Sequence, residues 1–102
     1  KRRDMQERRD LCLNILRQVN QLKVDCPKGA FYLFPDVSAH LKAKGWGSEK
    51  LAEHLLLDAG VAVVPGKPFG DDNRIRISFA KDRKTLEKGF DRIRVALQNI
   101  LP

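Results

Sequence analysis

The sequence predicts a small α+β domain, a sheet of about three antiparallel or mixed strands covered on one face by helices. Three observations carry that expectation. Long helical-period apolar stripes lie at both ends of the chain. Short apolar or alternating runs lie between them, bounded by Pro and Gly. The sequence has 102 residues, one domain's worth, of which 42% are hydrophobic.

The first helix is expected from Arg3 to Lys23. Met5, Cys12, Ile15, Leu16, Val19 and Leu22 form its stripe, with Leu11 on the flank. Its first two turns are nearly all polar and the chain opens on Lys1 rather than Met, which leads us to expect a piece cut from a longer protein. Pro27-Lys28-Gly29 is a break. Ala30–Phe34 reads as an aromatic-rich strand ended by Pro35, and Ser38–Lys44 as a loop or short helix. After Gly45-Trp46-Gly47, Ser48 is expected to cap a helix from Glu49 to Ala59, and Gly60 to end it in the left-handed conformation. Val61–Val64 reads as a short buried strand and Pro65–Asn73 as a loop rich in Pro and Gly. Arg74–Phe79 alternates with period two. Asp82 is placed to cap a last helix with the stripe Leu86, Phe90, Ile93, Leu97 and Ile100.

Several function classes drop out. Nothing approaches the ~20 apolar residues of a membrane span, and the basic start leads into an amphipathic stretch rather than a signal-peptide core. Cys12 and Cys26 are the only cysteines, too few for a disulfide scaffold, so a reducing cytoplasm is expected. The net charge of +7 is spread along the chain, as on solvated or domain-facing helix surfaces, rather than gathered in one block. His40 and His54 lack the spacing and companions of a zinc site, so no metal is expected. Phosphate-loop and nucleophile-elbow motifs are absent from the sequence.

One strand carries chemistry. Alternation places Ile75, Ile77 and Phe79 toward the helices and Arg74, Arg76 and Ser78 on the open face. A guanidinium on a rigid strand can grip a carboxylate through two parallel hydrogen bonds. A solvated strand face is the competing reading. The loop Pro65-Gly66-Lys67-Pro68-Phe69-Gly70 could border a binding site or serve only as a turn.

Arg8-Arg9-Asp10, Pro27 through Pro35, Leu55–Gly60 with Val61 through Gly66, Phe69-Gly70 and Arg76-Ile77-Ser78-Phe79-Ala80 follow one another in this order. Together they resemble the C-terminal small domain of class I/II, fold-type-I, aspartate aminotransferase-like enzymes that use pyridoxal phosphate. The resemblance covers nearly the whole chain, Arg8 to about Leu97. It implies that Arg76 binds the substrate's α-carboxylate as a bidentate pair and that Arg74 is a surface residue. It makes Phe69 and one of Phe31 and Tyr32 candidates to border the substrate, with core packing the preferred reading for Phe31 and Tyr32 alike.

It further implies ping-pong transfer of an amino group between an amino acid and a 2-oxo acid, in a homodimer whose small domain closes over the substrate. Pyridoxal phosphate, the lysine that bonds it and its phosphate ligands would belong to a large domain upstream of Lys1. This chain is then expected to carry no catalytic residue, to bind no cofactor and to be inactive alone. Neither nucleic acid nor a membrane is an expected partner. Two alternatives stand beside this: a regulatory, non-catalytic aminotransferase-like domain, and a basic α+β module that binds RNA. The identity of the amino donor is not legible here.

Overall fold

The computed structural model describes residues 2–27 and 30–102. Among them, α1 (Arg2–Leu16) leads to β1 (Tyr32–Leu33), α2 (Ser38–Lys44), α3 (Ser48–His54) continuing as a π-helical turn (Leu55–Ala59), and β2 (Val64–Pro65). A 3₁₀ turn (Lys67–Phe69), β3 (Ile75–Ser78) and α4 (Arg83–Ile100) complete the chain. The three strands form an antiparallel sheet in the order β1-β3-β2. This is the expected α+β architecture.

Cys12, Leu13 and Leu16 of α1, Leu33 of β1, Ile75 and Ile77 of β3, Phe79, and Leu86, Phe90, Ile93 and Leu97 of α4 bury into one core. Asp82 caps α4 as expected, its carboxylate accepting the Thr85 N–H at 2.8 Å. Gly60 ends the π turn at φ 69°, also as expected. No helix among the described residues is long and apolar enough to cross a membrane.

Several boundaries differ. The first helix stops at Leu16, not Lys23. Gln18 N–H and Val19 N–H reach back only three residues, to Ile15 and Leu16, and Gln21 takes φ 61°. The tighter winding keeps Val19 in the core and swings the chain toward the sheet, where Lys23 bridges Asp36. The Ala30–Phe34 strand narrows to Tyr32–Leu33, although the Phe79 N–H still bonds the Phe31 carbonyl at 2.9 Å. Lys28 and Gly29 of the Pro27-Lys28-Gly29 break lie outside the described residues.

The strand expected at Val61–Val64 pairs only through Val64 and Pro65, and it is not buried. Val64 stands opposite Arg76, which turns it to the open face. An unbroken apolar run has no period to reveal that.

Candidate functional site

Strand β3 sets the site. Ile75, Ile77 and Phe79 are buried on one face, and Arg74, Arg76 and Ser78 are half-buried on the other. Pairing brings Tyr32 opposite Ser78 and Val64 opposite Arg76, so both neighbours face the open side with them.

Arg76 stands at the middle of this face. Its guanidinium carbon lies 4.5 Å from the ring centroid of Tyr32 and 4.5 Å from that of Phe69. Tyr32 comes from β1 on one side of β3, and Phe69 from the turn that follows β2 on the other. A cation at this distance from an aromatic ring is attracted by about 0.5–2 kcal/mol. Two such rings restrict a side chain that would otherwise have many rotamers. No carboxylate among the described residues lies within salt-bridge distance of Arg76. Its Nε is enclosed and has no partner. A buried donor without an acceptor costs about 1–3 kcal/mol, so the side chain keeps hydrogen-bonding capacity that the described residues do not fill.

Arg74 behaves otherwise, and its expected role as a surface residue is corrected. It is half-buried, with Nε donating to Asp71 Oδ2 at 2.9 Å and a terminal nitrogen donating to the Phe34 carbonyl at 2.8 Å. These two bonds tie the Asp71 loop to the segment that follows β1. Core packing does not hold for Phe31 or Tyr32, which are 51% and 42% exposed. Tyr32 joins Arg76 directly, whereas Phe31 sits at the strand's outer end. Phe69, 54% exposed, completes the trio.

The loop that carries Phe69 is held by residues whose role the sequence did not reveal. Ser48 is the first residue of α3 rather than its cap. Asp72, from a distant loop, takes that place: its Oδ1 accepts the Ser48 N–H at 2.9 Å and the Ser48 hydroxyl at 2.7 Å. Those bonds, the hydroxyl's first, hold the Asp72 carboxyl below its ordinary range. The Ser48 hydroxyl oxygen accepts the Lys67 N–H at 3.1 Å. Gly66 is buried here, and a side chain on it would meet the Asp71 carbonyl oxygen at 2.1 Å.

The remaining titratable groups do not form a second centre with Arg76. His54 Nδ1 lies 3.0 Å from Asp58 Oδ2, and its ring sits tilted at 52° against Trp46, with centroids 5.0 Å apart. A groove of about 690 Å³ lined by Lys44, His54, Asp58, Asp91, Arg92 and Asn99, among others, runs beside α4 and includes none of the Arg76 trio. His40 is fully buried without a hydrogen-bond partner, and burial lowers its pKa. Burial pushes the Cys12 thiol up to about 12, which keeps it protonated and inert. Both cysteines are free. No group of three metal-ligating side chains exists among the described residues.

The fold and site therefore define an α+β domain that presents one preorganised guanidinium on an uncovered sheet face. The family model for aminotransferase class I and II matches residues 1–93. The chain belongs to that family, and this assignment does not favour the RNA-binding alternative. It is 42% identical to the bifunctional aspartate aminotransferase and glutamate/aspartate-prephenate aminotransferase of Petunia hybrida, over 98% of this chain and 22% of that protein. It is also 42% identical to a probable aspartate/prephenate aminotransferase of Aquifex aeolicus, over 97% of this chain and 25% of that protein.

Among solved structures it superposes on the aspartate aminotransferase of Rhizobium meliloti with a TM-score of 0.84 at 35% identity, covering 92% of this chain and 25% of that one. For the aromatic aminotransferase of Pyrococcus horikoshii the TM-score is 0.82 at 36% identity, covering 96% and 26%. The chain thus spans about a quarter of the length of the curated relatives it matches.

Proposed function

We propose that this chain is the C-terminal small domain of an aspartate aminotransferase-like enzyme, and that Arg76 binds the α-carboxylate of the amino acid and 2-oxo acid substrates. The observation that carries the reading is the unpaired guanidinium of Arg76, flanked by Tyr32 and Phe69 on the open sheet face. Its planar fork matches a carboxylate with two parallel bonds. The rings shield one side of the ion pair from water, which strengthens it. Held this way, the substrate's Cα is oriented toward whatever group reacts with it. Tyr32 and Phe69 border the bound acid, and Phe31, the residue before Tyr32, is half exposed at the start of β1.

Pyridoxal phosphate requires an enclosed lysine amine and a phosphate cradle. Among the described residues every lysine is exposed, so those residues do not fit that cofactor. We assign it to the remaining three-quarters of the parent protein, which would also carry the catalytic residues and most of a homodimer contact. The chain alone is then catalytically inactive. Two free thiols suit a reducing compartment such as the cytoplasm.

The test is Arg76→Ala in the parent enzyme, with aspartate as donor. Losing a charged pair of this kind costs about 2–5 kcal/mol, so KM for the amino acid rises at least roughly 30-fold while the visible cofactor absorbance persists. An unchanged KM would rule out the carboxylate role.

A further inference from the structure

The position of Phe69 over Arg76 has no obvious anchor of its own. The ring is more than half exposed and stands on a three-residue 3₁₀ turn. What holds that turn is a chain of polar contacts leading away from the sheet. We propose that Ser48 and Asp72 are positioning residues for the Arg76 site, acting through the Lys67–Phe69 turn that seats Phe69 against the guanidinium. This rests on Arg76 being the substrate-carboxylate ligand.

The contacts run in one direction. Asp72 Oδ1 takes both donors of Ser48, the N–H at 2.9 Å and the hydroxyl at 2.7 Å. With its proton committed to Asp72, the hydroxyl has its lone pairs free, and one accepts the Lys67 N–H at 3.1 Å. Lys67 opens the turn, which closes through Phe69 N–H to the Gly66 carbonyl at 2.8 Å and Gly70 N–H to the Lys67 carbonyl at 2.9 Å. Gly66 N–H in turn bonds the Arg74 carbonyl at 2.8 Å, immediately ahead of β3 and two residues before Arg76. The turn is therefore fixed from both sides, by β3 at Gly66 and by α3 at Lys67.

Asp72 packs closely as well: a side chain on Gly47 would meet its Oδ2 at 2.9 Å. Its neighbour Asp71 binds Arg74 and the Asn73 N–H instead. The two adjacent aspartates thus divide the work, one tying the loop to the sheet and the other tying it to α3.

A clasp of this kind differs from simple helix capping in what its loss does. Asp72 accepting the Ser48 N–H caps α3 whether or not the hydroxyl is present. Ser48→Ala keeps that cap and removes the hydroxyl's two contacts, its bond to Asp72 and the acceptor for Lys67. Asp72→Ala removes the cap and frees the Ser48 hydroxyl from its anchor, whereas Asp72→Asn retains an oxygen able to accept both Ser48 donors.

The experiment uses the parent enzyme with aspartate as donor, measuring KM and kcat for these three variants, for Phe69→Ala, and for the Ser48→Ala/Phe69→Ala pair. A displaced positioning loop raises KM about 5- to 20-fold in Ser48→Ala and Asp72→Ala, with a smaller change in kcat. Asp72→Asn recovers most of the loss. In the Phe69→Ala background the Ser48→Ala effect largely disappears, because residues acting through one another are not additive.

An unchanged KM in Ser48→Ala, or an equal effect with and without Phe69, would overturn the proposal and leave Asp72 as a helix cap alone. Arg76→Ala, run in parallel, separates the two layers. A raised KM there with a flat Ser48→Ala response removes only the positioning role. A flat Arg76→Ala response removes the carboxylate reading on which it rests.

Discussion

The guanidinium carbon of Arg76 lies 4.5 Å from the ring centroid of Phe69, although Phe69 stands in a loop and Arg76 in the central strand. The contact exists because β2 pairs antiparallel with β3, with Val64 opposite Arg76, so the chain leaving β2 turns back beside that arginine. Tyr32 reaches the same cation from β1 at the same distance. A charge that would roam in solvent is thereby restrained on an otherwise open face.

On the proposed reading of Arg76 the two rings are expected to contribute to binding more than to stability. Replacing Phe69 or Tyr32 with Leu removes a cation–π contact of about 0.5–2 kcal/mol. In the parent enzyme KM for aspartate rises a few-fold, to at most roughly 30-fold. The melting temperature of the variants stays within about 2 °C of wild type, since both side chains are largely exposed. A KM equal to wild type in both variants would show that the rings do not organise Arg76.

Gly66 is required by space rather than by backbone angle, since its φ is −77°. A methyl group there would sit 2.1 Å from the Asp71 carbonyl oxygen and 2.5 Å from that of Arg74. Both obstacles are backbone, so the loop itself must move. Gly66→Ala should destabilise the chain by about 1–3 kcal/mol. Urea denaturation reads that loss directly, and a midpoint unchanged from wild type would contradict the packing described.

His40 makes the fold acid-sensitive. Its ring is fully buried without a partner, and burial lowers its pKa below the ordinary value near 6.5. The unfolded chain therefore binds a proton that the folded chain refuses. Stability is fully present above pH ~6.5 and is lost as pH falls from there toward the depressed folded pKa. Asp36, Asp72 and Asp82, lowered chiefly by bonds from Ser38, Ser48 and Thr85, add a separate loss that begins near their ordinary range, around pH 4. Denaturant midpoints measured from pH 8 to pH 3 should fall in two limbs. His40→Leu should flatten the upper limb and leave the lower one, and an upper limb that persists in that variant would assign it elsewhere.

The α+β class, the core stripe of α4, the Asp82 cap, the Gly60 stop and the outward face of Arg76 were all legible in the residue pattern. Each follows from a local rule: a 3.6-residue or two-residue period, a capping side chain, or a glycine free to take positive φ. The resemblance of linked motifs added the family and the role expected of Arg76, which periodicity alone could not assign.

Tertiary structure decided the rest, because it depends on atoms distant in sequence. Helix α1 ends at Leu16 as the chain tightens, takes a positive φ at Gln21 and turns to pair Lys23 with Asp36, a contact distant in sequence. Arg74 and Arg76 are equivalent by alternation, yet Asp71 and the Phe34 carbonyl pair with the first, whereas the second finds no carboxylate among the described residues. Ser48 resembles a cap in sequence, but Asp72, 24 residues away, performs that function and turns the serine into a link to Phe69. A short-range pattern specifies which way a side chain points. Only the folded chain specifies which partner meets it there, since hydrogen bonds and cation–π contacts are won by whichever group the packing brings within reach.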